Sequence, residues 1–450
     1  MTIKIGVEQF GKIEKAEITL GRLILFVGEN NSGKTYMMQL LYGVISAIVN
    51  RTRFLREKLE NIDSQYIVDA DAIFMWVQNV NEYLEREKEQ LVKDIFYRDI
   101  PIGKLYIIIE DIDISYSAIL MKDSVLQVMK EETNSSLDHI SKIEVKKNRG
   151  GKEYYLSKMR IFGENFTERD AKDMVEKMLI QDMLGIRSSD SALFFPASRT
   201  GMLLLYKYFF AEKDNRMYVM ESEVGSYSSK NQLGLSAPVY NFLQFLLKFT
   251  PDNLIDKRNQ EILNFIEKYL IDGKLELSSD ESYYIPNNSK DRIPLYLSSS
   301  LINELAPIVK MLSNVYVYDN IYYDEIETCL HPLKQKAMAR LIIRLVNSGR
   351  RMVISTHSDS MAVNVNNLLT FTLGNMSKEA KEQKMKELGL EEADILKSKD
   401  VYVYQFTNSN HGTSSVNELK FRSVNNLGYD FELFNQNLEN LSEDTIKIME

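Results

Sequence analysis

From Thr2 to Val27 apolar and polar residues alternate in two short runs, TIKIGVEQF and IEKAEITL, set apart by turns at Gly11-Lys12 and Gly21-Arg22. They then give way to the unbroken apolar run LILFV. Alternation predicts half-buried strands and an unbroken run predicts a strand covered on both faces, so the chain is expected to open with a meander feeding a buried strand. After Thr35 the period changes. Residues 36–49, YMMQLLYGVISAIV, carry apolar side chains at helical spacing, which places the intervening GENNSGKT between a strand and a helix.

Residues 50 to 100 are charged and free of proline, and LREKLENI (55–62) and NEYLEREKEQLVKDIF (81–96) are predicted amphipathic helices. Three strand-like runs follow, KLYIIIEDIDISYSAIL (104–120), HISKIEVKK (139–147) and KEYYLSKMRIF (152–162), the last two joined by a Gly150-Gly151 turn. They are expected to extend the first sheet. A helix at 168–184 leads to a buried strand in ALFFPAS (192–198), and helix dominates from Gly201 to about Leu270. Beyond Tyr283 strands and helices alternate: VYVYDNIYYDE, LKQKAMARLIIRLVNSG, RMVISTHSD, and then LLTFTL as a further strand. A solvated helical stretch at 377–400, the strand-like VYVYQF and an acidic tail close the sequence. This arithmetic predicts an α/β fold with a parallel core sheet, a mixed N-terminal sheet and a helical insertion. A discontinuous head of 1–50 and 190–376 would carry the insertion 51–189 and a C-terminal segment 377–450.

Composition narrows the classes. A hydrophobic fraction of 44% is enough for a buried core, and no stretch approaches the roughly 18 uncharged apolar residues of a membrane span. The single cysteine, Cys329, excludes an internal disulfide and suits a reducing compartment, so a cytoplasmic location is expected. With 55 basic against 64 acidic residues, a net charge of −9, any nucleic-acid contact must be local.

The loop Gly28-Glu29-Asn30-Asn31-Ser32-Gly33-Lys34-Thr35 fits G-x-x-x-x-G-K-[ST]. In that pattern glycines let backbone amides face phosphate oxygens, and the following helix presents its positive end. Lys34 is expected on the β- and γ-phosphates of ATP, and Thr35 on Mg²⁺. The apolar strand Ile321–Tyr323 ends in Asp324-Glu325; Asp324 would join the magnesium shell and Glu325 would act as general base on water. Asp-Glu at a strand end is common by chance, and its weight here comes from its setting. His331-Pro332, a helix and the strand MVIST follow, delivering His357 to the carboxyl edge where it would meet the γ-phosphate. Upstream, LSSSLINEL (297–305) opens a helix with serines, which reads as an ordinary N-cap or as an anion site. Arg199, in PASRTG, is either a structural arginine closing a turn or a contact to nucleotide or a neighbouring subunit.

The order GENNSGKT, LSSSLINEL, IYYDEIETCLHP, STHS resembles the Walker A, signature, Walker B with D-loop, and switch histidine of ABC-type ATPases. The likeness is nearest to the soluble branch of RecF, Rad50 and the overcoming-lysogenization-defect proteins. Phe10-Gly11 with the meander through Leu20 is similar to that branch's opening strands, and Phe195–Gly201 resembles a turn common in its bacterial antiphage members of the Septu and PARIS type. The resemblance implies ATP and Mg²⁺ as cofactors, ATP hydrolysis that the chain's departures from the family at Ser299 and Ser300 would slow, and a homodimer or higher homo-oligomer in which Ser298 reaches the γ-phosphate held by another subunit's Lys34. It further implies a separate effector protein, a nuclease or toxin, or else a RecF-like clamp on nucleic acid, or an ATP-clamped scaffold. Ser299 and Ser300 stand where the family shows at least one glycine. Neither a heptad arm nor a C-x-x-C hook separates loop from signature, and the 93 residues after His357 lack the acidic cluster of a metal-dependent nuclease.

Overall fold

Strand β1 (Thr2–Phe10) turns at Gly11 into β2 (Ile13–Thr19), and β3 (Leu23–Gly28) follows with every residue buried, as the alternating and unbroken runs predict. The computed structural model describes residues 1–53, 65–122, 140–161, 166–187, 191–220, 234–252, 254–278, 281–423, 428–431, 443 and 446–447. The predicted helix at 55–62 and most of the acidic tail lie outside them. Helix α1 (Lys34–Arg51) is followed by β4 (Gln65–Val68), α2 (Ala70–Phe96), β5 (Lys104–Glu110), β6 (Ile114–Lys122), β7 (Ile140–Arg149), β8 (Lys152–Arg160), α3 (Glu168–Met183) and β9 (Ala192–Phe195). Then come α4 (Arg199–Met220), α5 (Ala237–Leu247), α6 (Lys257–Ile266), β10 (Gly273–Glu276), β11 (Tyr283–Pro286), β12 (Ile293–Pro294) and α7 (Ser300–Leu312). The series continues with β13 (Asn320–Tyr323), α8 (Pro332–Asn347), β14 (Arg351–Thr356), α9 (Asp359–Leu373), α10 (Lys378–Leu388), β15 (Val401–Asn408) and β16 (Ser414–Leu419).

Nine strands form the central sheet in the order β5-β1-β2-β16-β15-β3-β14-β13-β9. Its core, from β15 to β9, is parallel, and its β5-β1-β2 margin is antiparallel. The fold is therefore mixed α/β, as expected. Because side chains alternate across a strand, each core strand feeds two hydrophobic clusters. Ile24, Phe26, Tyr322 and Val353 join one that includes α1, α2 and α3. Leu23, Leu25, Ile321, Tyr323, Met352 and Ile354 join the other, with α5 to α9. Both faces of the parallel core are covered, which is why its middle strands carry the unbroken apolar runs LILFV and MVI.

Three expectations need correcting. Only Lys104–Glu110 of the strand-like runs joins the first sheet; β6, β7 and β8 build a separate antiparallel sheet with β4. The long run at 104–120 breaks at Asp111, whose backbone turns left-handed (φ 54°). LLTFTL is the end of α9. Ser358 caps this helix by accepting from the Met361 amide, and Met361, Ala362, Val365, Leu368 and Leu369 are buried at helical spacing. Of VYVYDNIYYDE, only Asn320–Tyr323 pairs in the sheet, while Val315, Tyr316 and Val317 are exposed. The alternating valines and tyrosines imitate a strand, but the chain there runs outside the sheet. VYVYQF lies as β15 directly beside β3.

Candidate functional site

Gly28 ends β3 with φ 134° and lies against the backbone of β15. A Cβ there would stand 2.0 Å from the Phe406 carbonyl oxygen. Only glycine satisfies both the backbone angle and the gap. Glu29, Asn30 and Asn31 are exposed and Ser32 is buried. Asn31 (φ 58°) and Gly33 (φ 97°) are left-handed, a change of hand that turns successive amides toward a common point. Gly33 is the N-cap of α1. The rim is tied to β15: the Asn408 amide donates to Glu29 Oε2 at 2.9 Å, and Asn408 Nδ2 donates to the Asn30 carbonyl at 3.2 Å. Gly28→Ala should cost about 3 kcal/mol or more in denaturant unfolding, from the unfavourable φ and the clash with a fixed backbone. A loss below about 1 kcal/mol would mean that β15 does not pack against the loop.

Lys34 folds back over this loop, donating to the carbonyls of Gly28 (2.9 Å) and Glu29 (2.6 Å) and to Ser32 Oγ (3.5 Å). Burial lowers its pKa, and the nearby Asp324, Glu325, Glu327 and Glu29 carboxylates oppose that shift. Thr35, the next residue, donates from Oγ1 to Asp324 Oδ2 at 2.8 Å across 289 residues of sequence.

Asp324 is delivered by β13, whose amide ladder continues into a bond from the Asp324 amide to the Phe195 carbonyl (2.9 Å). Its carboxylate is 2% exposed and accepts from two hydroxyls, Thr35 and, at 2.5 Å, Ser355 Oγ. Burial raises its pKa, and the two hydroxyl bonds act in the opposite direction. Glu325 follows with a left-handed backbone (φ 49°), its amide donating to Ser355 Oγ at 2.9 Å. Its side chain is half-buried, with Oε1 3.8 Å from His357 Nδ1. Glu327 is buried and organises the histidine. Its Oε1 accepts the amides of His357 (2.8 Å) and Ser358 (3.1 Å) and lies 3.1 Å from His357 Nδ1.

The structure thus brings Lys34, Thr35, Asp324, Glu325 and His357 to one edge of the parallel sheet. Ser298 makes only local bonds, to the Pro294 carbonyl (3.2 Å), the Leu295 carbonyl (3.0 Å) and Asn303 Nδ2 (3.3 Å). Ser355 and Glu304 are residues that sequence reasoning left without a role, and Glu327, in sequence only the next candidate for general base after Glu325, instead holds the His357 and Ser358 amides. Glu304 carried a legible signal, an acid set among Ile302, Leu305 and Ala306 on an apolar helix, which calls for a buried cationic partner. That partner is Arg199, itself fully buried.

A protein-family model, AAA_15, described as an AAA ATPase domain, matches residues 212–362. This span holds Ser298, Asp324, Glu325 and His357 but not the loop. No curated protein matches. Among solved structures the chain is similar to a Smc head bound to the C-terminal winged-helix domain of ScpA, at 12% identity and TM-score 0.38, covering 94% of this chain and 99% of that one. It is also similar to a Pyrococcus furiosus Smc head with an extended coiled coil bound to the C-terminal domain of ScpA, at 13% identity and TM-score 0.34, covering 99% of each. A third likeness is the SMC head domain of Thermotoga maritima, at 11% identity and TM-score 0.34, covering 93% of this chain and 99% of that one. The class is a mixed α/β fold with an ATPase-domain match over residues 212–362. Among the described residues no helix is long and apolar enough to cross a membrane.

Proposed function

We propose that the chain binds ATP with Mg²⁺ on the 28–35 loop and hydrolyses it as an ABC-type head, with Glu325 as general base. The observation that carries this reading is the Thr35–Asp324 hydrogen bond, which joins the hydroxyl after the loop lysine to the first acid of the strand end. These are the two side chains such a loop uses around magnesium. The charge balance fits: Lys34 is surrounded by Asp324, Glu325, Glu327 and Glu29, an excess of carboxylate that favours a divalent cation before a triphosphate arrives. Among the described residues no group of three or more His, Cys, Asp or Glu is placed to hold a metal alone. Magnesium would therefore take Thr35, Asp324 and phosphate oxygens, and would supply charge neutralisation to the reacting phosphoryl group.

The chain's own residues supply the remainder. The loop amides and Lys34 hold the phosphates, Glu325 accepts the proton of the attacking water, and His357, oriented by Glu327, contacts the γ-phosphate. Ser298 completes the site of a second copy, so that two heads sandwich two nucleotides. The motif likeness extends the reading to a homo-oligomer that controls a separate effector in antiphage defence.

A shared site is tested by mixing. Lys34→Ala and Ser298→Arg subunits should each be inactive alone. With free exchange half the dimers are mixed and each keeps one intact site, so the mixture should recover about a quarter of wild-type turnover. Continued inactivity after exchange has been demonstrated by mass would overturn independent composite sites.

A further inference from the structure

Inside one subunit the serine-rich turn and the acidic turn are joined by a buried ion pair that the roles above leave unused. The Arg199 guanidinium, 0% exposed, donates from Nη1 to the carbonyls of Pro196 (2.9 Å) and Asp324 (2.7 Å), and from Nη2 to the carbonyl of Glu325 (2.9 Å). It lies over the Tyr323 ring, 4.3 Å from the centroid. Its charge is met by the carboxylate of Glu304, in the second turn of α7, which also accepts the Thr200 hydroxyl at 2.6 Å. We propose that Arg199 and Glu304 form a latch that transmits the position of the Ser298–Ser300 helix start to Glu325, making Arg199 a positioning residue for hydrolysis. The proposal rests on the ATPase reading above.

Stability alone does not explain such a pair. Two charges taken out of water recover little more than a well-packed apolar pair of the same volume would give. A planar guanidinium adds geometry, because one rigid group fixes the carbonyls of Pro196, Asp324 and Glu325 relative to a single carboxylate. Glu325 has need of fixing. Its left-handed backbone (φ 49°) is uncommon for a residue with a side chain and persists only where surroundings over-determine it. Here the Ser355 hydroxyl holds its amide and Arg199 holds its carbonyl.

The other end of the latch is less constrained. Ser299 caps α7 without a side-chain hydrogen bond, and Tyr296 and Leu297 beside it are exposed. Pro307 lies inside α7 and has no N–H to bond the carbonyl of Asn303, so the ladder is loosened just behind Glu304. A displacement of the first turns of α7 by an ion or a second copy at Ser298 moves Glu304, then the guanidinium, then the two carbonyls that aim Glu325. Misplacing a catalytic group by about 1 Å is worth roughly a hundredfold in rate.

The test is a double-mutant cycle on turnover, with ATP affinity and melting temperature measured on every protein. Glu304→Gln keeps the volume and the Thr200 bond but removes the charge, and should lower kcat about tenfold while leaving ATP affinity within about twofold. Thr200→Val, which retains both charges, provides a milder perturbation should Glu304→Gln not fold, and should lower kcat in the same sense. Either variant combined with Ser298→Ala should be no slower than the slower single variant, because both lesions interrupt one line of transmission. Multiplicative losses, or a fall in kcat that only follows melting temperature, would overturn the latch and leave the ATPase reading intact. A folded wild-type protein that neither binds nor hydrolyses ATP would overturn both.

Discussion

Glu325→Gln should keep ATP and stop turning it over. The amide preserves the shape of the side chain, its 3.8 Å approach to His357 and the backbone bonds that hold the turn, none of which depends on the carboxylate charge. What it loses is the ability to accept a proton from water, and turnover should fall by at least about a hundredfold, or roughly 2.7 kcal/mol of barrier. The trapped nucleotide should hold paired heads together, so light scattering should show an ATP-dependent gain in mass. Wild-type turnover would move the general base elsewhere, with Glu327 next in line. The structure weighs against that alternative, because Glu327 Oε1 already accepts the amides of His357 and Ser358. That oxygen is committed to orienting the end of β14.

Lys34→Ala acts earlier, at binding. The ammonium is the one side-chain cation of the 28–35 loop, and four carboxylates act on it. Without it the loop amides would have to hold a triphosphate against that field, and ATP affinity should fall by more than about a hundredfold in equilibrium dialysis with labelled nucleotide. The fold should survive. The carbonyls of Gly28 and Glu29 would lose a donor, but the truncated side chain leaves space beside the exposed Glu29 through which water can reach them. Unchanged affinity in a folded variant would remove the loop from the nucleotide site.

The parts of this architecture that a sequence discloses are those written in local period. The change from alternation to helical spacing across residues 28–35 marks strand, loop and helix in a few residues. The strands that deliver Asp324 and His357 are legible because burial on both faces fills their middles with the apolar runs Ile321–Tyr323 and Met352–Ile354. Partnership between distant segments leaves no such trace. VYVYQF reads as a strand, but nothing within it states that β3 is its neighbour. VYVY at 315–318 has the same alternation and stays out of the sheet. LLTFTL looks like a strand until the stripe from Met361 shows the longer helical period. Arg199 illustrates the same limit at the site, since a lone arginine after a strand leaves open whether it faces a ligand or its own chain. Its bonds to Asp324 and Glu325, 125 and 126 residues away, decide the matter through tertiary packing.

The pairing of β3 with β15 bears on how the protein is made. Asn408 holds the rim of the loop from 378 residues downstream, and the Phe406 backbone packs against Gly28. At ordinary elongation rates the ribosome needs on the order of half a minute between the two segments. For most of that interval the loop strand lacks both of its neighbours, β14 and β15, and its edges are open to chaperones or to another nascent chain. A head able to grip nucleotide would then form only late in synthesis, so that polypeptides cut short before β15 are poor competitors for ATP and for full-length partners.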